Sequence, residues 1–406
     1  METAKARMEH PIQPAAKEKL WTKNFVLLAL ANGLMFFGFQ MLLTTLPVYV
    51  QNMGGSNTEV GWIIGMFTIV ALIARPIAGW ALDAYPKKQV LIFGLAFCLL
   101  AIGLYGFAAA VLLVLLVRMI HGFGFGFATT TYGTIVADII PSSRRGEGMG
   151  YFGLAGTFSM IVGPLSGLEI MDRYGFGPLF AVSLASTAAA LALTFAVQEP
   201  GRSGEGHAGA LPEVPAAPVT GWRRFIEPTA LFPSLLMLLI MSGYGGVVTF
   251  ITLYGEERAL ENVGLFFSTN AVCLFLIRPI SGRLFDRLGH VWVLLPCAVA
   301  GFIGILLLSY TTSTYMLIAS AVFFGIAFGG IQPSLQAWVI NRAPAHRRGT
   351  ANATLFSSID LGIGGGAILL GPIADTFGSF AVMYRASSVL FLAFIGVYLI
   401  YTFKRR

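Results

Sequence analysis

Arg75-Pro-Ile-Ala-Gly-Trp-Ala-Leu-Asp83 returns later in the chain as Arg278-Pro-Ile-Ser-Gly-Arg-Leu-Phe-Asp286. Both ends of the stretch move by the same 203 positions (278 − 75), half of the 406-residue length. Pro141-Ser-Ser-Arg144-Arg145-Gly146 returns as Pro344-Ala-His-Arg347-Arg348-Gly349, and Asp172-Arg-Tyr-Gly175 as Asp375-Thr-Phe-Gly378, at the same shift and without a gap. The chain is a tandem duplication, so the fold follows from what one copy contains.

Composition places both copies in a bilayer. Hydrophobic residues make up 56% of the chain and charged residues 11%, and the mean hydropathy is +0.77. A water-soluble surface of ordinary charge density cannot be built from such a chain. Apolar stretches of about 20 residues, the length that crosses the hydrocarbon core as a helix, recur at 25–50, 59–82, 89–109, 111–138, 148–169, 178–197, 229–254, 262–285, 291–310, 315–340, 349–372 and 380–402. The expected fold is an all-α membrane protein of twelve transmembrane helices in two pseudo-symmetric six-helix halves. An even number of spans per copy leaves both copies in the same orientation, related by an axis along the membrane normal.

Charge fixes the expected orientation. Lys87-Lys88, Arg144-Arg145, Arg202, Arg223-Arg224, Arg283, Arg287, Arg342, Arg347-Arg348 and Lys404-Arg405-Arg406 fall in alternate loops, while Glu59, Asp172, Glu256, Glu257, Glu261 and Asp375 lie opposite with only Arg173 and Arg258 as nearby cations. By the excess of Lys and Arg, the basic side is expected in the cytoplasm, with both termini. The predicted organisation is a cytoplasmic tail at 1–24, a bundle at 25–197, a Gly- and Pro-rich cytoplasmic linker at 198–228, a second bundle at 229–402 and a short tail at 403–406. Trp222-Arg-Arg-Phe225 is expected on the membrane surface. The net charge of +7 is therefore mainly a topology signal and not the mark of a nucleic-acid partner. Cys98, Cys273 and Cys297 sit in apolar spans without metal-ligand spacing and read as packing residues. No nucleotide loop or metal-ligand cluster is present, and Gly122-Phe-Gly124-Phe-Gly126 lies inside a span, where it fits helix packing and not phosphate binding. An enzyme is not expected. The expected setting is the plasma membrane of a prokaryotic cell, with the chain acting as a monomer whose partners are the lipid bilayer, a small-molecule substrate and protons, and without a cofactor.

Gly79-Trp-Ala-Leu-Asp83-Ala-Tyr-Pro-Lys87-Lys88 resembles the loop 2–3 signature of the major facilitator superfamily, and its second copy matches at Gly282, Asp286, Arg287 and Gly289. The first copy departs from that pattern at Ala84 and Pro86, where Arg and Gly are usual. The resemblance implies that Asp83 faces the start of the eleventh helix and grips the two halves together, because a carboxylate stabilises the positive end of a helix dipole and its free N–H groups. Small residues such as Gly79 let the helices approach. The blander reading is that these charges mark loop ends.

Two further stretches resemble signatures of the same family. Gly150, Ser159, Gly163-Pro164 and Gly167 follow the spacing of the fifth-helix motif of drug-exporting antiporters, with Ser159 and Leu168 where Gly is usual; the helix they imply is a bendable seal between the halves, against an alternative of ordinary close packing. Arg118-Met-Ile-His121-Gly122-Phe-Gly124 resembles the fourth-helix signature of proton-coupled members, with His121 in place of the more common Gln. The second copy has no Arg at the position equivalent to Arg118, so the scaffold does not require one there, and an Arg inside a span is a functional candidate unless it snorkels to the interface.

Asp360 lies eleven residues beyond Gly349, about 16 Å along a helix and near the bilayer midplane. Its equivalent in the first copy is Thr157. A carboxyl at that depth, where burial disfavours the charge and a neighbouring cation favours it, can load and release protons; a structural pair is the alternative. Asp360, Arg118 and His121 are thus the candidates for proton coupling, while the first span carries no acid. The resemblance implies a cavity lined by the first, fourth, seventh and tenth helices, which here offer Asn32, Phe36, Gln40, Phe125, Tyr132, Tyr244, Gln332 and Gln336. Aromatic and amide groups suit large apolar or amphipathic molecules better than a small anion. The expected function is proton-coupled export of hydrophobic or amphipathic compounds by alternating access; an exporter of a specific metabolite or metallophore, or an importer or uniporter on the same scaffold, is the alternative.

Overall fold

The computed structural model describes residues 19–198, 221–260 and 262–404. Most of the N-terminal tail and of the linker, with Arg202, Glu261 and Arg405-Arg406, lie outside the described residues. Twelve helices long and apolar enough to cross a membrane follow one another, and the described residues contain no strand. They are α1 (Lys23–Asn52), α2 (Asn57–Ala84), α3 (Lys87–Tyr105), α4 (Val111–Ile139), α5 (Arg145–Tyr174), α6 (Phe176–Ala196), α7 (Leu231–Glu257), α8 (Gly264–Leu288), α9 (Val291–Ser309), α10 (Thr314–Arg342), α11 (Arg348–Phe377) and α12 (Phe380–Phe403). In hydrocarbon every backbone N–H and C=O needs a partner inside the chain, which is why the apolar stretches become helices and nothing else.

Local chemistry sets the ends. Thr22 caps α1 through its Oγ1, which accepts from the Phe25 N–H at 3.2 Å, and Ser56 with Glu59 forms a reciprocal capping box on α2. The Gly175 and Gly378 pair, equivalent under the repeat, stops α5 and α11 at φ of +82° and +60°, backbone that a Cβ disfavours.

Each half repeats one packing scheme. α1 packs on α5 and α6 as α7 packs on α11 and α12, and α4 is flanked by α2 and α3 as α10 is by α8 and α9. Large side chains such as Leu100, Leu112, Ile368, Leu369 and Ile400 stay exposed on the outside, a surface suited to lipid. The halves meet along two seams, α2 against α11 and α5 against α8. Both seams are tightest where the basic loops gather, and that basic end positions the site.

Candidate functional site

The repeated stretch forms the same clasp twice. Asp83, at the last turn of α2, accepts the backbone N–H of Gly349 at 3.0 Å and of Thr350 at 3.2 Å, with the Thr350 hydroxyl also on its carboxylate. Asp286, at the last turn of α8, accepts the N–H of Gly146 at 2.7 Å and of Glu147 at 2.8 Å. Each carboxylate therefore sits on the first turn of a helix from the other half, where free N–H groups and the helix dipole favour negative charge. Such an approach needs bare backbone: a Cβ on Gly282 would meet the Gly146 carbonyl oxygen at 2.2 Å, and one on Gly79 would meet the Ala353 Cβ at 2.5 Å.

Charges brace the clasps. Asp138 takes Lys87 from its own half and Arg348 Nη1 from the other at 2.9 Å, and at the equivalent position Asn341 accepts from Arg145 at 2.5 Å. Glu147 accepts from Arg144 and Arg283, each at 2.8 Å, so it ties α5 to α8 directly. Lys88 does not join the clasp and donates instead to the carbonyls of Phe195 and Val197 at 2.9 and 2.8 Å. Arg287 is exposed. Asp138 and Glu147 escaped the sequence reading because a carboxylate near a helix end looks like any loop charge; only the repeat, which sets Asp138 opposite Asn341, distinguishes it.

About two turns deeper the seam between α2 and α11 is closed by an ion pair. Arg75 Nε donates to Asp360 Oδ2 at 2.5 Å and Nη2 to Oδ1 at 3.1 Å, while Nη1 donates to the Thr129 hydroxyl at 3.0 Å. The guanidinium lies 5.0 Å from the Phe356 ring centroid. Arg75 is 4% exposed and Asp360 15%. Two-point attachment at that burial makes this a strong and specific contact between the halves. Arg75 opened the repeated motif yet drew no role from sequence, since its partner lies 285 residues away. Toward the basic end Asn352 adds a bond from α11 to α4, donating to the Thr130 carbonyl at 3.1 Å and accepting from Gln336 at 3.2 Å.

Arg118 and His121 lie elsewhere. Arg118 is fully buried inside the first half, its Nε donating to the Ile63 carbonyl at 3.2 Å and its charge 4.5 Å from the Phe67 ring centroid, which is not the geometry of a residue reaching the interface. His121 is buried beside it, 3.3 Å from the Tyr105 hydroxyl and ringed by Phe39 and Phe67. Neither reaches Asp360.

Three expected cavity residues are used for packing. Tyr132 is wholly buried with its hydroxyl 3.4 Å from the Thr194 hydroxyl of α6, because a phenol inside a bundle needs a polar neighbour. Gln336 is committed to Asn352, and Gln40 lies against α5 at Gly163. Asn32 is buried in α1. Phe36 and Phe125 pack edge to face with centroids 5.4 Å apart, whereas Tyr244 and Gln332 stay partly exposed, with Tyr244 4.7 Å from Phe328 and Gln332 accepting from Arg278 at 2.8 Å.

The glycine-rich α5 divides its work. Gly146 and Gly150 face α8, where a Cβ on Gly150 would meet the Arg278 carbonyl at 2.5 Å. Gly163 and Gly167 instead press on Gln40 and Met41 of α1, and the Ser159 hydroxyl donates to the Gly33 carbonyl at 2.7 Å. Only the first part of the motif, with Pro164 beyond it, therefore seals one half to the other. The rest binds α1 within the first half, because α5 leaves the seam as it runs away from the basic end.

The inter-half hydrogen bonds described above all lie between the basic end and the Arg75–Asp360 pair. Farther from the basic end Gly364 and Gly365 of α11 have open space beside them. Such a molecule, two equivalent bundles clasped together at the end where their basic loops gather, has the build of a membrane carrier. The chain belongs to the Major Facilitator Superfamily, whose family model matches residues 28–367. It is 26% identical over 370 residues to a staphylopine export protein of Staphylococcus aureus, covering 88% of this chain and 91% of that one. It is 23% identical over 329 residues to multidrug resistance protein 2 of Bacillus subtilis, covering 79% and 82%. Its fold matches the superfamily transporter FucP in its outward conformation with a TM-score of 0.76, at 18% identity over 93% of this chain and 98% of that one.

Proposed function

We propose that this transporter works by alternating access in the cell membrane, with its basic end and both termini in the cytoplasm, and exports hydrophobic or amphipathic small molecules in exchange for protons. The observation that carries the reading is the Arg75–Asp360 pair, a carboxylate joined across the seam to a cation of the other half. In that cycle the clamped basic end belongs to the state that is open to the outside. A proton arriving from that side neutralises Asp360, removes its attraction for Arg75 and weakens the seam; the clasps then release, the halves rock, and the proton leaves toward the cytoplasm as substrate loads. Re-pairing of Arg75 with Asp360 after proton release favours the return.

The likeness supports export, since one of the two curated relatives above is named an export protein and the other a multidrug resistance protein. A second reading, export of one specific metabolite or metallophore, rests on the staphylopine exporter, and a panel of dyes, peptides and metallophores tested against purified protein in liposomes separates the two. The same liposomes separate export from import by direction.

Asp360→Asn, which mimics the protonated side chain in shape and charge, is expected to abolish the acceleration of export by an inward proton gradient while substrate binding and counterflow persist. Uphill export by that variant with native pH dependence would make Asp360 structural and leave His121 the next candidate.

A further inference from the structure

The repeat that gives Arg75 its carboxylate withholds one from Arg278. Under the 203-residue shift Arg278 is equivalent to Arg75, Gln332 to Thr129, Thr157 to Asp360 and Gly153 to Phe356. One contact is shared: Arg278 Nη2 donates to Gln332 Oε1 at 2.8 Å, as Arg75 Nη1 donates to the Thr129 hydroxyl at 3.0 Å. The other two are missing. Thr157 turns its hydroxyl back to the Gly153 carbonyl at 3.1 Å, and the ring of Phe356 is replaced by a bare glycine, against which the guanidinium rests: a Cβ on Gly153 would meet Arg278 Nη1 at 2.0 Å.

Arg278 Nε is left without a hydrogen-bond partner, and no ion pair among the described residues engages this side chain. A guanidinium cannot shed its charge at any relevant pH. Held inside the membrane against a neutral amide, it is a costly group that a structural role does not require. Unlike Arg75 it is partly exposed, and one turn along α5 Gly156 faces open space. Phe328 lies one turn before Gln332, the partner of Arg278, on α10, and Tyr244 packs on that ring with centroids 4.7 Å apart.

We propose that Arg278 is the anion anchor of the substrate site: the acidic group of an amphipathic molecule completes in the second copy the ion pair that Asp360 completes in the first, with the apolar body of that molecule against the partly exposed Tyr244, which Phe328 backs. This rests on the transporter reading and narrows its substrate class to compounds carrying a carboxylate or a similar single negative charge. Because one copy carries its own carboxylate and the other borrows one from the substrate, proton and substrate act at equivalent positions on opposite seams.

The test is equilibrium binding of dansylglycine and of its uncharged amide to the purified full chain in nanodiscs, read by dansyl fluorescence at neutral pH. The native protein is expected to bind the acid about tenfold more tightly than the amide. Arg278→Gln should erase that preference. Thr157→Asp should erase it too, by supplying Arg278 with the carboxylate that the repeat omits, and should raise thermal stability, so the test does not depend on Arg278→Gln folding. Thr157→Asn, of the same shape without the charge, should keep it. A native protein that binds acid and amide equally, or binds neither, or a Thr157→Asp variant with the native preference, overturns the proposal. No pH gradient is imposed, so these outcomes are independent of export direction and of the role of Asp360.

Discussion

Arg75 and Asp360 differ in how each tolerates losing the other. Asp360 freed by Arg75→Gln can take up a proton and become neutral, whereas Arg75 freed by Asp360→Asn stays charged at 4% exposure. Removing one partner of a buried pair costs about 3–5 kcal/mol when the other charge is stranded. Thermal unfolding in detergent should therefore rank Asp360→Asn below Arg75→Gln, and the double variant should recover much of the loss of Asp360→Asn. The opposite order would mean that Arg75 finds compensation from the hydroxyls of Thr129 and Thr130 alone, which its Nη1 reaches at 3.0 and 3.5 Å. At this scale the sequence was only half legible. The depth of Asp360 could be counted from Gly349, but the identity of its cation could not, because a contact across 285 residues leaves no periodic trace. Arg118 drew notice by standing alone in its copy, and Arg75 escaped it by standing in both.

Among the elements, α5 and α11 begin the seams and α2 and α8 end on them. A carboxylate at a helix N-terminus contributes about 0.3–1 kcal/mol when solvent reaches it, and Asp83 is exposed at the rim of its clasp. Asp83→Asn alone should shift the balance between clamped and open basic ends by about threefold, and Asp83→Asn with Asp286→Asn by about tenfold. Cross-linking across the basic end reads both; equal effects of single and double variants would show that one clasp suffices. Gly282→Val should act more strongly than either, since its side chain would drive into the Gly146 carbonyl, and should leave the basic end open with the protein still inserted. A Gly282→Val variant that cross-links as readily as the native chain would place the seam elsewhere. The helices themselves were legible because twelve apolar stretches have no other solution in hydrocarbon. What the stretches concealed was facing: Gly163 and Gly167 share a motif with Gly150 and yet meet α1, because spacing records that a helix packs closely and not against which neighbour.

For the whole molecule, the repeat is the organising fact. It was readable from the first nine residues quoted, and it carries the paired clasps, the paired seams and the one place where they differ. The central claim is that Asp360 biases the opening of the end that the clasps hold shut. Tyr85 and Leu288 are exposed at the basic end on opposite halves, and Phe107 and Tyr315 are exposed at the other end on opposite halves. Spin labels at Tyr85→Cys with Leu288→Cys, and separately at Phe107→Cys with Tyr315→Cys, in a chain without its three native cysteines, report the two openings by pulsed electron resonance in nanodiscs. The account predicts that lowering the pH, or Asp360→Asn at neutral pH, lengthens the first distance and shortens the second together. Distances that change with pH just as much in Asp360→Asn as in the native chain, or that ignore both, would contradict it.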